Sequence, residues 1–310
     1  MINTEYSIAI RTLGKAGIKY QQMLDSIEQL TIQPRKIIVY IAEGYEIPKE
    51  TINREIYVYT SKGMTAQRAI QFEEIETEYC LFLDDDVYLA PDSVEKMFLA
   101  LEKYKADVIS PALFFHKFSF LQFITLNVVP HNDKEYAYKI LPSGGFAYNE
   151  KNQKDICLSE SNSGPCFLCK KSTMLSIDFK DELWLDETGY AMWDDQTMFY
   201  KMHLAGYKML TIFNSGIVHL DAGSSKSGSD VIEKIVYADS RNRLIFWYKF
   251  IYKQKKGFPG KTKASIALCY SYIMQLLLSS VNSLRHFSLY RTKAFIKGIN
   301  DAIIYIKKHK

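Results

Sequence analysis

The sequence predicts an α/β fold in which a mostly parallel sheet is flanked by helices and followed by a C-terminal helical extension. Short apolar runs alternate with helix-like stretches along the first third of the chain, which is typical of parallel sheets. The fourth apolar run ends in three carboxylates, Asp84–Asp86. Residues 231–310 are strongly basic, whereas the preceding residues are acidic overall. We therefore expect an α/β domain over residues 1–222 and a basic, apolar helical region over 223–310.

The elements follow from the spacing of apolar residues and of turn residues. The predicted strands cover residues 6–10, 35–41, 55–59, 80–83, 107–111 and 208–213. The predicted helices cover residues 18–30, 66–75, 93–103 and 196–205, and a further helix is expected over 230–254. Residues 114–160 show no clear period, so we expect a loop or lid near the site there.

Composition narrows the class of protein. Hydrophobic residues make up 47% of the chain and charged residues 24%, as in ordinary globular proteins. The N-terminus lacks the basic and then apolar pattern of a signal peptide, and the five cysteines are scattered. These features predict a cytoplasmic protein without a disulfide framework. Cys166 and Cys169 form a lone pair of the zinc-binding spacing, and we expect buried thiols there instead.

The basic tail predicts an anionic partner. Residues 231–310 carry 16 lysines and arginines against 3 acidic residues. Their apolar content favours an anionic membrane surface, and nucleic acid is not expected. Residues 264–284 contain no charge and are long enough to span a bilayer, but Gln275, Asn282 and five serines make a poor spanning helix. We expect amphipathic helices on the cytoplasmic face of the membrane. The alternative is a helical pair that packs on the α/β domain or on a second subunit.

The three consecutive carboxylates predict a cation site. Such closely spaced carboxylates repel each other unless a cation lies among them. In open α/β sheets ligands bind at the carboxyl ends of the strands. Residues that follow other predicted strands, namely Arg11, Thr12, Glu43, Lys62 and Gly63, are expected at the same edge. The alternative is an acidic turn that caps the helix beginning near Ser93.

A second acidic cluster lies about 100 residues later in the chain. It contains Asp186, Trp193, Asp194 and Asp195, and the last two open a predicted helix. Carboxylates can bind sugar hydroxyls while an indole ring stacks on the sugar face. The alternative is that the acidic residues are there because a helix dipole favours negative charge at its N-terminus. His219 ends an apolar run, as Asp84 does.

In this order, the motifs resemble those of family 2-like glycosyltransferases of the GT-A fold, over roughly residues 6–219. The resemblance implies that Arg11, Thr12 and Glu43 bind the nucleotide. It implies that Arg68, in the Gly63–Arg68 segment, faces the diphosphate, and that Gly164 lies beside the donor sugar. The stretch Leu83–Val87 is similar to the metal motif of the family.

The resemblance also implies the remaining roles. Mn²⁺ or Mg²⁺ would be held by Asp86, with Asp84 or Asp85 and with His219. Asp84 and Asp85 would share the contacts to the metal and the ribose. The acceptor-site motif is similar to Asp186 and Asp194-Asp195, and Trp193 joins it as a sugar contact. Asp195 would be the base of an inverting transfer, with a pKa raised by burial and by Asp194.

The family further implies a UDP-sugar donor and a saccharide or lipid-linked glycan acceptor in bacterial surface polysaccharide synthesis. The segment Tyr237–Arg243 resembles one that follows the catalytic domain in many bacterial members. This chain departs from the family where Asp194 replaces Glu, and where Thr197 and Lys201 replace Asp and Arg. These departures affect the residues that would contact the acceptor, and they leave the expected fold unchanged.

Two other enzyme classes are alternatives. A phosphohydrolase with the Asp-x-Asp motif would have Thr or Val where this chain has Tyr88. A sugar nucleotidyltransferase would have a glycine-rich basic loop after the first strand, of which Leu13–Gly17 is a faint form. It would leave the second acidic cluster without a role.

Overall fold

The computed structural model describes residues 4–113, 120–149, 154–220, 229–285 and 289–309. The strands are β1 Tyr6–Thr12, β2 Ile37–Ala42, β3 Glu55–Thr60, β4 Tyr79–Asp84, β5 Val87–Leu89, β6 Val108–Pro111, β7 Val128–Pro130, β8 Tyr136–Ile140, β9 Phe146–Tyr148, β10 Ile156–Ser159, β11 Cys166–Lys170, β12 Met209–Ile212 and β13 Ile217–His219. The α-helices are α1 Ile18–Glu28, α2 Ser93–Tyr104, α3 Phe120–Ile124, α4 Lys171–Ser176, α5 Asp194–Leu204, α6 Ser229–Phe246, α7 Gly257–Arg285 and α8 Tyr290–Lys308.

A mostly parallel sheet forms the centre of the molecule, as the sequence predicted. Within the described residues it has 11 strands in the order β3-β2-β1-β4-β11-β6-β12-β10-β8-β9-β7. β1 pairs in parallel with both β2 and β4, and β11 lies antiparallel between β4 and β6. β5 and β13 form a separate antiparallel pair. The first four long strands therefore deliver their carboxyl ends to one edge.

Helices cover both faces of the sheet, as expected. On one face α1 buries Tyr20, Met23, Leu24 and Ile27, which recur at helical spacing and therefore form one apolar side. Together with side chains of α2, they fill one core cluster. On the other face, side chains of α5 and α6 pack with those of α7 and α8 in a second cluster. Cys166 and Cys169 are buried, as predicted.

The predicted helix over residues 66–75 is wrong. Only Ala66–Arg68 form a helix, and it is a single 3₁₀ turn. Phe72 has a positive φ of 51°, which an α-helix does not tolerate. This conformation directs the Phe72 ring edge-on against Tyr40 and Phe82 in the core. Burial of one aromatic ring has overridden the local helix preference.

The predicted loop over residues 114–160 is also wrong in its described part. α3 and the strands β7–β10 lie there and extend the main sheet. The rings of Tyr138 and Tyr148 stack at 4.8 Å between centroids across β8 and β9. Residues 114–119 and 150–153 lie outside the described residues. Strands of three to five residues with mixed polarity carry too weak a pattern to be recognised in the sequence.

The tail is helical, as predicted. α6 continues into a π-helix, Trp247–Tyr252, and then α7 and α8 follow. α8 lies close along α6 because Gly298 has no side chain: a Cβ there would be 2.0 Å from Ser240 Oγ. Among the described residues, Gly257–Val281 is the one stretch whose length and composition would allow it to cross a membrane. The predicted domain boundary at 222–223 lies in residues 221–228, outside the described residues.

Candidate active site

Arg11 and Asp84 meet at the carboxyl edge of the sheet. They are register partners at the ends of the neighbouring parallel strands β1 and β4. Arg11 Nη2 donates to Asp84 Oδ2 at 3.0 Å, and Arg11 Nε donates to Asp84 Oδ1. The guanidinium therefore holds both carboxylate oxygens in a two-pronged pair. Both oxygens of Asp84 thus accept from Arg11, and the role of Asp84 as a metal or ribose contact stays a prediction.

Asp85 is held by the end of β1. Thr12 Oγ1 donates to Asp85 Oδ2 at 2.5 Å, and the amide of Gly14 donates to Thr12 Oγ1 at 2.7 Å. Burial raises the pKa of Asp85 to about 6, and the neighbouring carboxylates add to the shift, whereas Thr12 opposes it. The residues after β1 and the acidic stretch are thus one hydrogen-bonded unit, and nucleotide binding by Thr12 stays a prediction.

Asp86 and His219 form the second part of the site. His219 Nε2 lies 3.1 Å from Asp86 Oδ1, and Asp86 is 7% exposed. The β5–β13 pairing places His219 opposite Val87, and the amide of Leu220 donates to Asp86 O at 2.8 Å. Within the described residues, no group of three or more His, Cys, Asp or Glu side chains has a metal-binding arrangement. Asp86 and His219 are thus a neighbouring carboxylate and imidazole, and their binding of a metal stays a prediction.

Arg68 joins the two acidic clusters. Its Nη1 donates to Asp194 Oδ2 at 2.7 Å and to Asp195 Oδ1 at 2.5 Å. Arg11 Nη1 lies 3.9 Å from Asp194 Oδ2. Arg68 is 5% exposed, and its buried Nη2 has no hydrogen-bond partner among the described residues. A cavity of about 20 Å³ lies at this point, and its lining includes Arg11, Arg68, Asp84 and Gly164.

Gly164 fits closely against this ion cluster. Its amide donates to Asp195 Oδ2 at 2.9 Å. A Cβ at this position would lie 2.0 Å from Asp195 Oδ1 and 2.2 Å from Arg68 Nη2. No side chain can be accommodated without moving these groups. The predicted location of Gly164 in the site is thus consistent with its contacts.

The two neighbouring aspartates differ in acidity. Burial raises the pKa of Asp194 to about 7, and the charge of Asp195 adds to it, whereas Arg68 and Arg11 oppose it. Burial would also raise the pKa of Asp195, but Arg68, Arg11 and the Gly164 amide outweigh it and lower that pKa. The expected rise in the pKa of Asp195 is therefore wrong. Asp195 is ionised, and Asp194 is the member of the pair that holds a proton more readily.

Asp186 binds backbone in this structure. It accepts hydrogen bonds from the amides of Thr65 and Ala66 at 3.1 and 2.9 Å. Gly63 permits this approach, because a Cβ there would lie 2.3 Å from Asp186 Oδ2. Asp186 thereby fixes the 3₁₀ turn that carries Arg68, and its contact with an acceptor stays a prediction.

Trp193 packs against the tail. Its Nε1 donates to Asp239 Oδ1 at 2.8 Å, and its ring packs on Phe246 and Arg243. Trp193 is only 8% exposed, so its ring faces are covered by protein. The sequence-based idea that a sugar stacks on this indole does not fit this arrangement, and the acceptor contact of Asp194 likewise remains a prediction.

Glu43 lies at the same edge, exposed, directly after β2. Lys62, which the sequence also placed at this edge, lies in a cluster with Lys15 and Tyr45. The two ammonium groups lie 4.8 and 5.1 Å from the centroid of the Tyr45 ring, and a hydrogen bond from Lys62 lowers the pKa of Tyr45. All three residues follow the ends of β1, β2 and β3. The strand-end rule that selected Glu43 and Lys62 could therefore also have found Lys15 and Tyr45.

The chain was then compared with known proteins. The family model described as Glycosyl transferase family 2 matches residues 36–157. This match supports a glycosyltransferase of the family 2 type. The glycosyltransferase also has the mostly parallel sheet, the flanking helices and the C-terminal helices consistent with the GT-A fold. No curated protein matches the chain.

The matched residues contain only part of the site of the glycosyltransferase. They include Arg68 and Asp84–Asp86, but they end before Gly164, Asp195 and His219. The match favours glycosyl transfer over the phosphohydrolase and nucleotidyltransferase alternatives. Proposals for the donor, the acceptor and the metal depend on the geometry of the site.

Proposed function

We propose that this glycosyltransferase moves a sugar from a UDP-sugar to a hydroxyl group of a saccharide or lipid-linked glycan, in bacterial surface polysaccharide synthesis. One observation carries the mechanism. Arg11 and Arg68 connect the carboxylate that ends β4 with the carboxylates that begin α5. Groups suited to a diphosphate and a group suited to a base are therefore adjacent at the strand-end edge where α/β sheets bind ligands.

The donor side of the site contains cationic groups that can bind phosphate. A diphosphate is a good leaving group only when its charge is neutralised. Arg68 is a candidate for that task, because its Nη2 is buried without a partner among the described residues and can donate to a phosphate oxygen. Lys15 and Lys62 add two ammonium groups beside Tyr45. Together these cationic groups and the Tyr45 ring favour the binding of an anionic ligand that also carries a flat nucleotide base.

Asp86 and His219 fit a divalent cation that is shared with the substrate. A carboxylate oxygen and an imidazole nitrogen 3.1 Å apart can be two ligands of Mn²⁺, and Asp86 can likewise bind Mg²⁺. The diphosphate and water would complete the coordination shell. When bound, the cation would supply further neutralisation of the leaving group. Arg11 keeps Asp84 in place beside this pair.

Asp195 is the proposed base. It is ionised, and the Gly164 amide and Arg68 orient its two oxygens. It would accept the proton of the acceptor hydroxyl as that oxygen attacks the anomeric carbon. A phosphate that draws Arg68 away would raise the pKa of Asp195 and strengthen it as a base. A single displacement of this kind inverts the anomeric configuration.

We also propose that the tail holds the enzyme on an anionic membrane surface. α7 exposes Phe258, Ile266, Ile273, Leu277 and Val281, which recur at helical spacing along one side. The lysine-rich segment before α7 supplies positive charge. The opposite side of α7 donates and accepts hydrogen bonds within the protein, through Ser271, Tyr272 and Gln275. A spanning orientation would break those bonds, so the helix lies on the surface.

A thermal-shift screen tests the donor proposal. Nucleotide-sugars are added singly, with and without Mn²⁺, and ligand binding raises the melting temperature. We expect a UDP-sugar with Mn²⁺ to give the largest shift. A shift that is the same without the metal would count against the Asp86–His219 role. The absence of a shift with every nucleotide-sugar would overturn the proposed donor class.

Two variants separate the proposed roles. Asp195→Asn is expected to abolish transfer while donor binding is retained. Asp86→Ala is expected to weaken metal-dependent donor binding itself. UDP release is measured with the donor from the screen, together with donor affinity by titration. Wild-type turnover in Asp195→Asn, or unchanged affinity in Asp86→Ala with Mn²⁺, would contradict the assignment.

Vesicle sedimentation tests the membrane proposal. The full chain should bind vesicles containing phosphatidylglycerol, bind neutral phosphatidylcholine vesicles less, and dissociate at high salt. Ile273→Glu should weaken binding, whereas Leu99→Glu, at an exposed apolar residue of α2, should not. A protein that stays soluble with anionic vesicles at low salt, or one that forms a dimer sensitive to Ile273→Glu, would overturn the proposal.

A further inference from the structure

α6 holds the loop that carries the second acidic cluster. We call residues 184–193 the site loop; it comprises the end of the 3₁₀ helix Phe179–Thr188, with Asp186, and the turn that leads to Trp193. Arg241 Nη1 donates to Trp184 O at 2.9 Å, and Arg241 Nη2 donates to Glu187. The segment around Arg241 resembles one in bacterial family members, and that resemblance implies no role for it. The contacts give it a physical role.

Asn242 lies at the centre of this contact. Its Nδ2 donates to Leu185 O at 3.3 Å and to Met192 O at 3.0 Å. Its Oδ1 accepts from Arg241 Nη1 at 3.1 Å. Asn242 is 0% exposed, so water does not compete for these bonds. One side-chain amide thus ties together the two ends of the site loop.

The two carbonyls that Asn242 holds precede the two side chains that leave the loop. Leu185 comes directly before Asp186, and Met192 comes directly before Trp193. Asp186 binds the amides of Thr65 and Ala66, and so fixes the turn that carries Arg68. The part of the site loop that contains Asp186 therefore determines where the guanidinium of Arg68 lies.

The C-terminal end of the site loop, at Trp193, leads to Asp195, the proposed base. Trp193 has a positive φ of 77°, an unfavourable conformation for a side chain of this size. Its bond to Asp239 Oδ1 and its packing against Arg243 and Phe246 hold it there. The next residues are Asp194 and Asp195, in the first turn of α5. Both parts of the site loop, at Asp186 and at Trp193, therefore help to position the contact of Arg68 with these two carboxylates.

We propose that Asp239, Arg241 and Asn242 of α6 are positioning residues that set the distance between Arg68 and Asp195. The proposal rests on the proposed function, because it gives that ion pair a task in transfer. None of the three contacts Asp195 directly. They act through the backbone of the site loop, and the C-terminal helix thereby becomes part of the catalytic machinery rather than only an attachment region.

Hydrogen exchange of the full chain tests the contact without any substrate. Asn242→Asp keeps the shape of the side chain and the acceptor for Arg241, but it removes both donors to the loop. We expect amides in residues 63–68 and 184–195 to exchange about tenfold faster or more. The control is Thr77→Val, which removes buried hydrogen bonds at the opposite edge of the sheet, near Ser7 and Tyr79. Exchange in the two segments that matches Thr77→Val would overturn the proposal.

Kinetics then tests the consequence for transfer. UDP release is measured between pH 5 and 9 with the donor from the thermal-shift screen. We expect Asn242→Asp to lower kcat by about 10- to 100-fold and to move the acidic limb of the profile, because the spacing of Asp195 from Arg68, Arg11 and Asp194 changes. Thr77→Val should leave the profile in place. A lower melting temperature with an unchanged pH profile would show a structural role only and overturn the proposal.

A second variant keeps the test decisive if Asn242→Asp does not fold. Asp239→Ala removes the acceptor for Trp193 Nε1 and the carboxylate charge near Arg243, and we expect the same two readouts to change in the same direction, by smaller factors. Failure of the proposed function has a different signature. The wild-type enzyme would then release no UDP from any nucleotide-sugar, while the exchange experiment would still report whether α6 holds the site loop.

Discussion

Replacing Gly164 by alanine perturbs the ion cluster through one methyl group. The new Cβ would lie 2.0 Å from Asp195 Oδ1 and 2.2 Å from Arg68 Nη2, whereas ordinary contacts at such a carbon begin at 3.4 Å. The backbone at Gly164 needs no left-handed conformation, so the whole effect is steric. Both groups must move by more than about 1 Å, and a displacement of that size at a reacting group costs about 10²-fold in rate.

The assay is UDP release by Gly164→Ala at saturating donor and acceptor. We expect kcat to fall by about 100-fold, with a smaller change in the melting temperature. Gly206→Ala is the matched control, because position 206 has a positive φ of 91° but open space around its Cβ, beyond the other end of α5. The control should lose stability and keep its turnover. A wild-type kcat in Gly164→Ala would refute the reasoning.

Three further predictions follow from the same contacts. Gly63→Ala should lower kcat by about tenfold or more, because its Cβ would displace Asp186 from the turn that carries Arg68; turnover equal to wild type would exclude this. Asp194→Asn should remove a pH dependence of stability. The raised pKa of Asp194, about 7 against about 3.9 in the unfolded chain, means that stability is lost as pH rises from about 4 to 7. Denaturant titrations of the two proteins should therefore diverge across that window, and parallel curves would contradict the assignment. Arg11→Lys should weaken UDP binding, since one ammonium cannot hold both oxygens of its carboxylate partner; calorimetry measures the affinity, and an unchanged value would count against a positioning role.

The first half of the site could be predicted because it depends on local pattern. Each of β1, β2 and β4 is a short apolar run that stops at a polar residue, and parallel strands bring their carboxyl ends to one edge. Arg11, Glu43 and Asp84 therefore lie near one another whatever the rest of the chain does. The pairing of β1 with β4 made Arg11 the partner of Asp84, and this register could not be known from either strand alone.

The second half depends on contacts between distant residues. The 3₁₀ turn at residues 66–68 is held by Asp186, more than 100 positions away, which accepts hydrogen bonds from the amides of Thr65 and Ala66. The sequence suggested that a sugar stacks on Trp193, whereas its indole nitrogen donates a hydrogen bond to Asp239 of α6. Propensity and periodicity describe neighbours along the chain, so they carry no information about such partners. The short strands in 128–159 were missed for the same reason, because their pairing partners define them.

The contacts of Arg68 also change how the donor site and the base should be treated. Arg68 touches both Asp194 and Asp195, so the two halves of the site share one cation. Removing the charge of Asp195 leaves Arg68 more available to a diphosphate, and donor affinity in Asp195→Asn should therefore rise rather than merely persist. Linkage requires the reverse effect of equal size, so that a bound donor makes Asp195 more basic. The proposed base would then be strongest when the leaving group is in place, which would favour a donor-first order and suppress proton abstraction in an enzyme that has nothing to transfer.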